Sequence, residues 1–353
     1  MSDRSQLPEA QTTHLKSRRR GSIGLHDYTS VVESLRSSSS NKEAQPKPRS
    51  SRRRFCKAAS SVAGCLIVSP EILGRVGRAA SPERVPPSDQ FRFVQIGAGG
   101  RGRTDLTETI AAGGKPVAFC DVDVQRAGKT YELHPNLPRR SDFRKMLDEF
   151  DRECDAVVIS TPDHIHGVQG LDALRRGKHL FLQKPLARTF DECDRLIRAS
   201  HHAGVATQMG NQCQSGFAMV AWQTLVNAGL IGTISEVHCW TNRPTWPQGM
   251  TDYPPSANPP STLQWDTWLG PVAKRPFARG YLPYAWRGWR DFGTGALGDM
   301  GCQWIAPAWK ALKLSLPQRV TADVSDASTI SFPASSTVTF EFGASAVCPN
   351  GLK

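Results

Sequence analysis

The sequence predicts an α/β fold built on a doubly wound parallel sheet, because short apolar runs alternate with helix-compatible segments. The apolar runs lie at residues 91–96, 116–120, 155–160, 179–182 and 205–209. The helix-compatible segments lie at residues 104–112, 141–150, 168–176 and 190–202. The run at 155–160 contains four consecutive apolar residues, 156–159, as expected for a strand buried on both faces of a parallel sheet. We therefore assign residues 90–210 to one such domain.

A glycine-rich turn, residues 97–102, follows the first apolar run directly. Gly97 would permit the tight turn, Gly99 a close approach of a pyrophosphate, and Gly102 close packing of the next helix on the strand. The free N–H groups at the start of that helix would face the phosphates. This arrangement predicts a dinucleotide site.

An acidic residue, Asp121, ends the second apolar run. Its carboxylate would accept hydrogen bonds from the adenosine ribose hydroxyls, and its charge would repel a 2′-phosphate. Asp121 therefore favours NAD, whereas nearby Arg101 and Arg126 leave NADP open.

Polar groups also follow the third and fourth apolar runs. Residues 161–166 read Thr-Pro-Asp-His-Ile-His, and Gln183-Lys184-Pro185 follows the fourth run. Ligands of such sheets bind at the carboxyl ends of the strands. We therefore expect these groups to meet Asp121 around one cofactor.

The amino-terminal leader falls into two segments. Residues 1–50 are rich in Ser, Arg, Lys, Gln and Pro and are predicted to be disordered. Residues 51–57, SRRRFCK, precede a weakly apolar stretch at 58–68, and residues 51–89 resemble a twin-arginine export signal with a linker. This resemblance implies a periplasmic or exported protein. The alternative is a disordered basic tail on a cytoplasmic protein.

Charge, apolar runs and cysteine spacing narrow the range of partners. Of the formal net charge of +12, residues 1–88 carry +9 and the remainder only +3. The globular part is nearly neutral, so we expect no nucleic-acid partner, and no apolar run is long enough for stable membrane insertion. The nine cysteines form no Cys-x-x-Cys pairs, which favours buried thiols over a metal site.

Several segments together resemble the glucose-fructose oxidoreductase and inositol dehydrogenase family (Gfo/Idh/MocA), in particular its exported bacterial branch. The resemblance spans roughly residues 91–342. The matching segments are residues 97–102, 120–123, 161–166, 183–185, 209–212, 265–271 and 295–301.

The resemblance implies a second domain, residues 211–353, that binds substrate and mediates oligomerisation. It would be an α+β domain with an open, mainly antiparallel sheet. Alternation at 235–242 and 336–342 is compatible with strands, and residues 298–312 with a helix. Relatives continue beyond this point and add strands, so we expect this domain to be short at its carboxyl terminus. All nine tryptophans follow residue 221, and they would either form a carbohydrate-binding wall or pack a loop-rich domain.

Site residues are carried over from the family motifs one by one. Lys184 matches the family lysine, Asp299 matches a family aspartate, and His166 is a possible substitute in proton transfer. Gln303 stands where this branch usually has His, and Ala306 where it has Asp. The cofactor-binding candidates are Gly97, Gly99, Gly100, Arg101, Gly102, Asp121, Thr161, Pro162, His166, Gln183, Lys184, Pro185 and Asn211. The substrate-binding candidates are Lys184, Trp286, Arg287, Asp299 and Gln303.

Three hypotheses for function follow from these residues. The first is an NAD(P)-dependent oxidoreductase acting on a sugar, polyol or related carbohydrate. The second is a non-catalytic or truncated nucleotide-binding member, because glutamine cannot exchange a proton at neutral pH. The third is a glycosidase that uses tightly bound NAD in a transient oxidation. The first and third predict a small-molecule carbohydrate substrate, the second predicts nucleotide binding without turnover, and the resemblance adds a homo-oligomer.

Overall fold

The computed structural model describes residues 90–212 and 214–353. The predicted disordered leader and twin-arginine-like segment lie outside these residues and stay predictions. Within the described ranges, no helix combines the length and the apolar character that a membrane span requires.

The amino-terminal part contains a six-stranded, fully parallel sheet with strand order β3-β2-β1-β4-β5-β6. The strands are β1 (Arg92–Ile96), β2 (Lys115–Cys120), β3 (Arg139–Arg140), β4 (Ala156–Ile159), β5 (His179–Gln183) and β6 (Thr207–Gly210). The helices are α1 (Arg101–Ala111), α2 (Gly128–Leu133), α3 (Phe143–Phe150), α4 (Asp163–Arg175) and α5 (Phe190–Ala203). The strand order reverses between β1 and β4, which is where a doubly wound sheet places its ligand. The predicted fold class is confirmed.

Both faces of this sheet are buried, which explains its continuous apolar runs. Alternate residues of β4 belong to different cores: Val157 and Ile159 to one, Ala156 and Val158 to the other. Successive side chains of a strand point to opposite faces, so each face is packed by helices. The carboxyl ends of the strands are left to form the site.

Helix α4 begins five residues earlier than the sequence suggests. Pro162 is its N-cap and Asp163 lies in its first turn. Proline suits a helix start because its missing N–H has no intrahelical partner there. Residues 163–166 are consequently helical and buried instead of forming an open loop.

The carboxyl-terminal part is an α/β region with a small antiparallel sheet. Its elements are α6 (Phe217–Asn227), α7 (Trp265–Leu269), a 3₁₀ turn (Ala285–Gly288), α8 (Gly295–Ala311), β7 (Arg319–Val324) and β8 (Ser336–Glu341). The pair β7–β8 is antiparallel. Within the described residues, this region therefore contains a smaller sheet than the open one that the resemblance implies.

The strand expected at residues 235–242 does not form. Alternation stabilises a strand only when a neighbouring strand accepts its hydrogen bonds. Here, Val237 N–H donates to the Lys353 carbonyl, and Lys353 N–H donates to the Ser235 carbonyl. The rest of the segment has no neighbouring strand among the described residues, so its pattern is not converted into a sheet.

Aromatic residues hold the loop-rich segment between β6 and β7 together. Trp265 stacks on Trp268 with ring centroids 5.0 Å apart, and Tyr281 and Phe292 close the same cluster. Packing therefore accounts for several of the tryptophans. The cluster also fixes the 3₁₀ turn that carries Trp286 and Arg287.

Candidate functional site

A cavity of about 550 Å³ lies at the carboxyl ends of the parallel strands and is closed on the other side by the 3₁₀ turn and α8. Most of the predicted site residues line it. They are Gly97, Gly99, Gly100, Arg101, Asp121, Thr161, Pro162, Gln183, Lys184, Trp286, Arg287, Asp299 and Gln303. Four predicted residues do not line it: Gly102, His166, Pro185 and Asn211.

The glycine turn has the geometry that its sequence predicts. Gly97 has φ of +79°, a conformation that favours glycine, and its N–H donates to the Cys120 carbonyl at 2.8 Å. A Cβ on Gly102 would lie 1.8 Å from the Gly97 carbonyl oxygen. Gly102 therefore acts by letting α1 approach β1, without contacting the cavity itself. The first N–H groups of α1 have no intrahelical partner and begin at the cavity wall, where a phosphate would accept from them.

Asp121 braces this turn from the end of β2. Its Oδ2 accepts hydrogen bonds from the N–H groups of Ala98 (2.9 Å) and Gly99 (3.0 Å), and its Oδ1 accepts from Asp123 N–H (3.0 Å). Burial raises the pKa of this carboxyl, while the three N–H groups oppose the shift. A carboxylate has about four lone-pair sites. Because it accepts from three N–H groups, the Asp121 carboxylate orients the turn and keeps about one acceptor site for a ligand in the cavity that it lines.

Arg126 approaches the same turn. A Cβ on Gly100 would lie 2.8 Å from the Arg126 guanidinium. Asp123 holds this segment, because its Oδ1 accepts from the N–H groups of Gln125 and Arg126. The Arg126 cation therefore lies against the glycine turn.

The wall of the same cavity contains a charged cluster. Lys184 Nζ donates to Asp299 Oδ1 at 2.9 Å and to the Asp299 carbonyl at 2.6 Å. Arg287 Nε donates to the same Oδ1 at 3.3 Å. The side chains of Lys184 and Asp299 are only 12% and 10% exposed. Two cations thus share one carboxylate in a poorly solvated position.

Asp163 is a site residue that the sequence reasoning did not select. It is 2% exposed, lines the cavity and accepts a hydrogen bond from Thr294 Oγ1 at 2.8 Å. Burial raises its pKa to about 7. The hydrogen bond from Thr294 and the positive charges of Arg287 and Lys184 oppose this rise, and the negative charge of Asp299 adds to it. Its position directly after Pro162, at a helix start, was the available signal. A buried carboxyl with a pKa near neutrality can exchange a proton at physiological pH.

The two histidines of α4 do not face the cavity. His166 is fully buried, with Nδ1 2.8 Å from the Pro185 carbonyl and Nε2 2.9 Å from the Thr161 carbonyl. Both ring nitrogens face main-chain carbonyl oxygens, and burial lowers the pKa of the ring. The neutral ring has a single N–H and donates to one of these two carbonyl groups. The proposed proton-transfer and cofactor contacts of His166 are not supported by this placement. His166 instead ties α4 to the segment after β5.

His164 is part of the core. Its Nε2 lies 2.7 Å from the Trp268 carbonyl, and its ring packs against the Trp268 ring with centroids 4.6 Å apart. Burial lowers its pKa to about 4, so the ring is neutral at pH 7.

Asn211 and Pro185 also act from outside the cavity. Asn211 Nδ2 donates to the Cys302 carbonyl at 2.6 Å and so connects the end of β6 to α8. Pro185 presents its carbonyl to His166. Both residues position the elements that carry Lys184 and Asp299.

Three tryptophans, Trp246, Trp268 and Trp286, line the cavity. The Arg287 guanidinium lies 4.2 Å from the Trp286 ring centroid and 4.6 Å from that of Tyr284. Cation–π contacts of this kind fix a guanidinium in place. The tryptophans thus serve both packing and cavity lining. No group of residues in the described ranges has the composition of a metal site.

Sequence comparisons identify relatives that share only part of their length with this chain. The chain is 26% identical over 203 residues to a protein named glycosyl hydrolase family 109 protein 1 from Shewanella sp. (strain MR-4), covering 52% of this chain and 44% of the relative. It is 30% identical over 142 residues to a 1,5-anhydro-D-fructose reductase from Ensifer adhaerens, covering 40% and 42%. The chain thus spans less than half the length of these relatives.

Structure comparison finds a similar fold in the WlbA dehydrogenase from Chromobacterium violaceum, solved with NADH and UDP-GlcNAcA. The TM-score is 0.52 at 19% identity, covering 73% of this chain and 66% of that chain. This similarity concerns the fold.

Two family models match the chain. Residues 91–211 match the oxidoreductase family model described as an NAD-binding Rossmann fold, and residues 216–346 match its C-terminal alpha/beta domain. Together they span well over half of the sequence. With the glycine turn, Asp121 and the Lys184–Asp299 pair in one cavity, these matches show that the chain belongs to the Gfo/Idh/MocA family of NAD-binding oxidoreductases.

Proposed function

We propose that this protein is an NAD-dependent oxidoreductase that transfers a hydride between the nicotinamide and a carbinol carbon of a sugar, polyol or related carbohydrate. One observation carries the proposal: the glycine turn and the Lys184–Asp299 pair line the same cavity. Hydride transfer requires the cofactor and the substrate carbon to be held in contact. A cavity with a nucleotide-binding end and a charged polar end meets this requirement.

Residues of the sheet edge fit the cofactor. The turn at 97–102 and the start of α1 would receive the pyrophosphate, and Asp121 would accept from the ribose hydroxyls. When bound, NAD supplies the hydride acceptor. Asp121 supports NAD, whereas Arg126 and Arg101 keep NADP as the alternative.

Oxidation of a carbinol also releases its hydroxyl proton, which needs an acceptor. We assign this role to Asp163, because it lines the cavity and has a pKa of about 7. Lys184 is held as a hydrogen-bond donor by Asp299 and would stabilise negative charge on the carbinol oxygen. The carbinol carbon thus gives its hydride to the nicotinamide, and the oxygen gives its proton to Asp163.

Binding and turnover together test this proposal. The purified protein is titrated with NADH, and energy transfer from tryptophan to the nicotinamide is recorded, because Trp246, Trp268 and Trp286 line the cavity. NADH formation at 340 nm is then followed with NAD and a panel of sugars and polyols. A folded protein that shows no energy transfer would contradict the proposal. Binding without turnover on any panel member would favour the non-catalytic alternative.

The second candidate is a glycosidase that uses NAD transiently. It is supported by the similarity to relatives named as glycosyl hydrolase family 109 proteins. An alpha-N-acetylgalactosaminidase from Shewanella oneidensis, 27% identical over the matched residues, supports it too. Release of nitrophenol from nitrophenyl α-N-acetylgalactosaminide, without net NADH formation, would select this candidate. Net NADH formation from a free sugar would select the first.

We further propose that the protein is exported by a twin-arginine-type pathway. Residues 51–57 and the weakly apolar stretch after them support this. Replacing Arg52 and Arg53 by lysine should retain the protein in the cytoplasm, as measured by separating the cytoplasmic and exported fractions of the cells. Equal export of both forms would contradict the proposal.

We also propose a homo-oligomer. Large exposed apolar side chains in the carboxyl-terminal part, including Phe217, Leu230 and Trp240, support it. Light scattering coupled to size exclusion tests this, and a monomeric mass at high concentration would contradict it.

A further inference from the structure

A row of three side-chain amides crosses the site from the sheet to α8. Gln303 Nε2 donates to Gln212 Oε1 at 3.0 Å, and Gln212 Nε2 donates to Gln183 Oε1 at 2.9 Å. Gln183 ends β5, Gln212 follows β6, and Gln303 lies on α8. The row therefore connects the nucleotide-binding sheet to the helix that carries Asp299.

Asp105 fixes the direction of this row. It is 3% exposed and accepts hydrogen bonds from Ser160 Oγ (2.7 Å) and Gln183 Nε2 (2.9 Å), with the Arg101 guanidinium at 2.8 Å. An ionised carboxylate only accepts, so Gln183 must turn its NH₂ group toward Asp105. Its Oε1 then faces Gln212 as an acceptor.

The orientation of each amide fixes the orientation of the next one in the row. Gln212 must present its NH₂ group to Gln183, and the same group also donates to the Gly210 carbonyl at 2.6 Å. Gln212 Oε1 is thereby left to accept from Gln303. Gln303 commits its NH₂ group to Gln212, and its own Oε1 is left over.

The leftover oxygen belongs to a residue of the cavity wall. Gln303 lines the cavity, its Oε1 accepts no hydrogen bond from the described residues, and this atom is not sealed from solvent. Lys184 and Arg287, which line the same end, offer only donors. The Gln303 oxygen therefore adds a neutral acceptor beside these two cationic donors and the charged carboxyl groups of Asp163 and Asp299.

We propose that Gln303 determines substrate specificity, because its Oε1 accepts a hydrogen bond from a substrate hydroxyl group. This inference rests on the proposed oxidoreductase function. A carbonyl or ether oxygen placed there would face a second acceptor and leave both without a proton, which a site with buried polar groups rejects strongly. The site thus selects a carbohydrate with a free hydroxyl at one defined position next to the reacting carbon.

The experiment is a cycle of protein and substrate changes. The parent compound is the sugar or polyol that the wild type oxidises fastest in the panel, and it is compared with its monodeoxy and deoxyfluoro analogues. The protein variants are Gln303→Met, which has similar length without a polar end, and Gln303→Leu. Gln214→Met is the matched control, because Gln214 lies near the Gln303 backbone carbonyl but does not line the cavity.

We expect the wild type to lose roughly tenfold or more in kcat/KM when one particular hydroxyl is removed or replaced by fluorine, since fluorine cannot donate. Both Gln303 variants should treat that analogue and the parent within about twofold, by the same principle, while still discriminating at other positions. The Gln214→Met protein should behave as wild type. NADH affinity, measured by energy transfer, should stay unchanged in all three variants.

Two failures are distinguishable. If the wild type oxidises a sugar but the Gln303 variants keep the full discrimination at every position, the inference is overturned and the proposed function stands. If the wild type turns over no member of the panel, the proposed function is overturned and this inference with it.

Discussion

Replacing Asp163 by asparagine should separate stability from activity. Burial raises the pKa of Asp163 from 3.8 to about 7, so the folded state binds this proton more tightly than the unfolded state. The contribution of Asp163 to the free energy of unfolding is therefore fully present below pH 4 and is lost as the pH rises toward 7. At 1.36 kcal/mol per pKa unit, the loss above pH 7 is about 4 kcal/mol.

Asparagine has the same shape and no charge, and its Oδ1 can still accept from Thr294. The Asp163→Asn protein should therefore be more stable than wild type at pH 8 by up to about 4 kcal/mol, and the two should be equal near pH 4. Urea unfolding at a series of pH values measures this. Asp191→Asn is the control, because Asp191 is exposed and pairs with Arg195 at the surface.

Activity should move the opposite way. In the wild type, kcat/KM for carbinol oxidation should rise as Asp163 ionises through pH 7, whereas Asp163→Asn should lose this limb and roughly 10²–10⁴-fold in rate, the usual contribution of a general base. An Asp163→Asn protein with the wild-type pH dependence of both unfolding and rate would refute the reasoning.

Three further substitutions test other parts of the cavity. Gly102→Ala would place a Cβ 1.8 Å from the Gly97 carbonyl oxygen and should therefore abolish NADH binding or sharply lower the melting temperature. Gly128→Ala is the control, because the space around its Cβ is open, and it should change neither property. Equal behaviour of the two variants would contradict this prediction. Lys184→Met should lower kcat by roughly 10²–10³-fold with little change in NADH affinity, because Lys184 would stabilise negative charge on the carbinol oxygen. A selective loss of NADH binding would show that Lys184 acts on the cofactor instead. Asp121→Ser should lower the affinity for NADH relative to that for NADPH by roughly tenfold. It should also lower the free energy of unfolding by about 1–3 kcal/mol, because three N–H groups lose their acceptor. An unchanged ratio of the two dissociation constants would contradict this prediction.

The sheet and the cofactor end of the site were predictable because their determinants are local. Buried parallel strands give continuous apolar runs, and a turn such as 97–102 depends on a few consecutive glycines. Asp121 and Lys184 follow strands directly, so the topology alone brings them to one edge.

The rest of the site depends on long-range contacts that no spacing encodes. Asp163 acquires its pKa from burial, and its hydrogen-bond partner Thr294 is 131 residues away. His166 reads as a free imidazole in the sequence, but helix α4 starts early enough to bury it against two carbonyl groups. The segment 235–242 shows the converse case, in which a correct local pattern lacks the neighbouring strand that would make it a β-strand.

The charges of the cavity are matched to the reacting state more closely than to the bound substrate. With Asp163 ionised, the four charges of Lys184, Arg287, Asp299 and Asp163 sum to zero beside a neutral carbinol. Once the proton moves to Asp163, the remaining three charges leave a net +1 beside an oxygen that has become negative. This attraction exists only after the proton has begun to move, so it lowers the barrier without tightening ground-state binding. Under the proposed function, a histidine on α8 is therefore not required, because Asp163 on α4 would take the proton and Gln303 on α8 would orient the substrate.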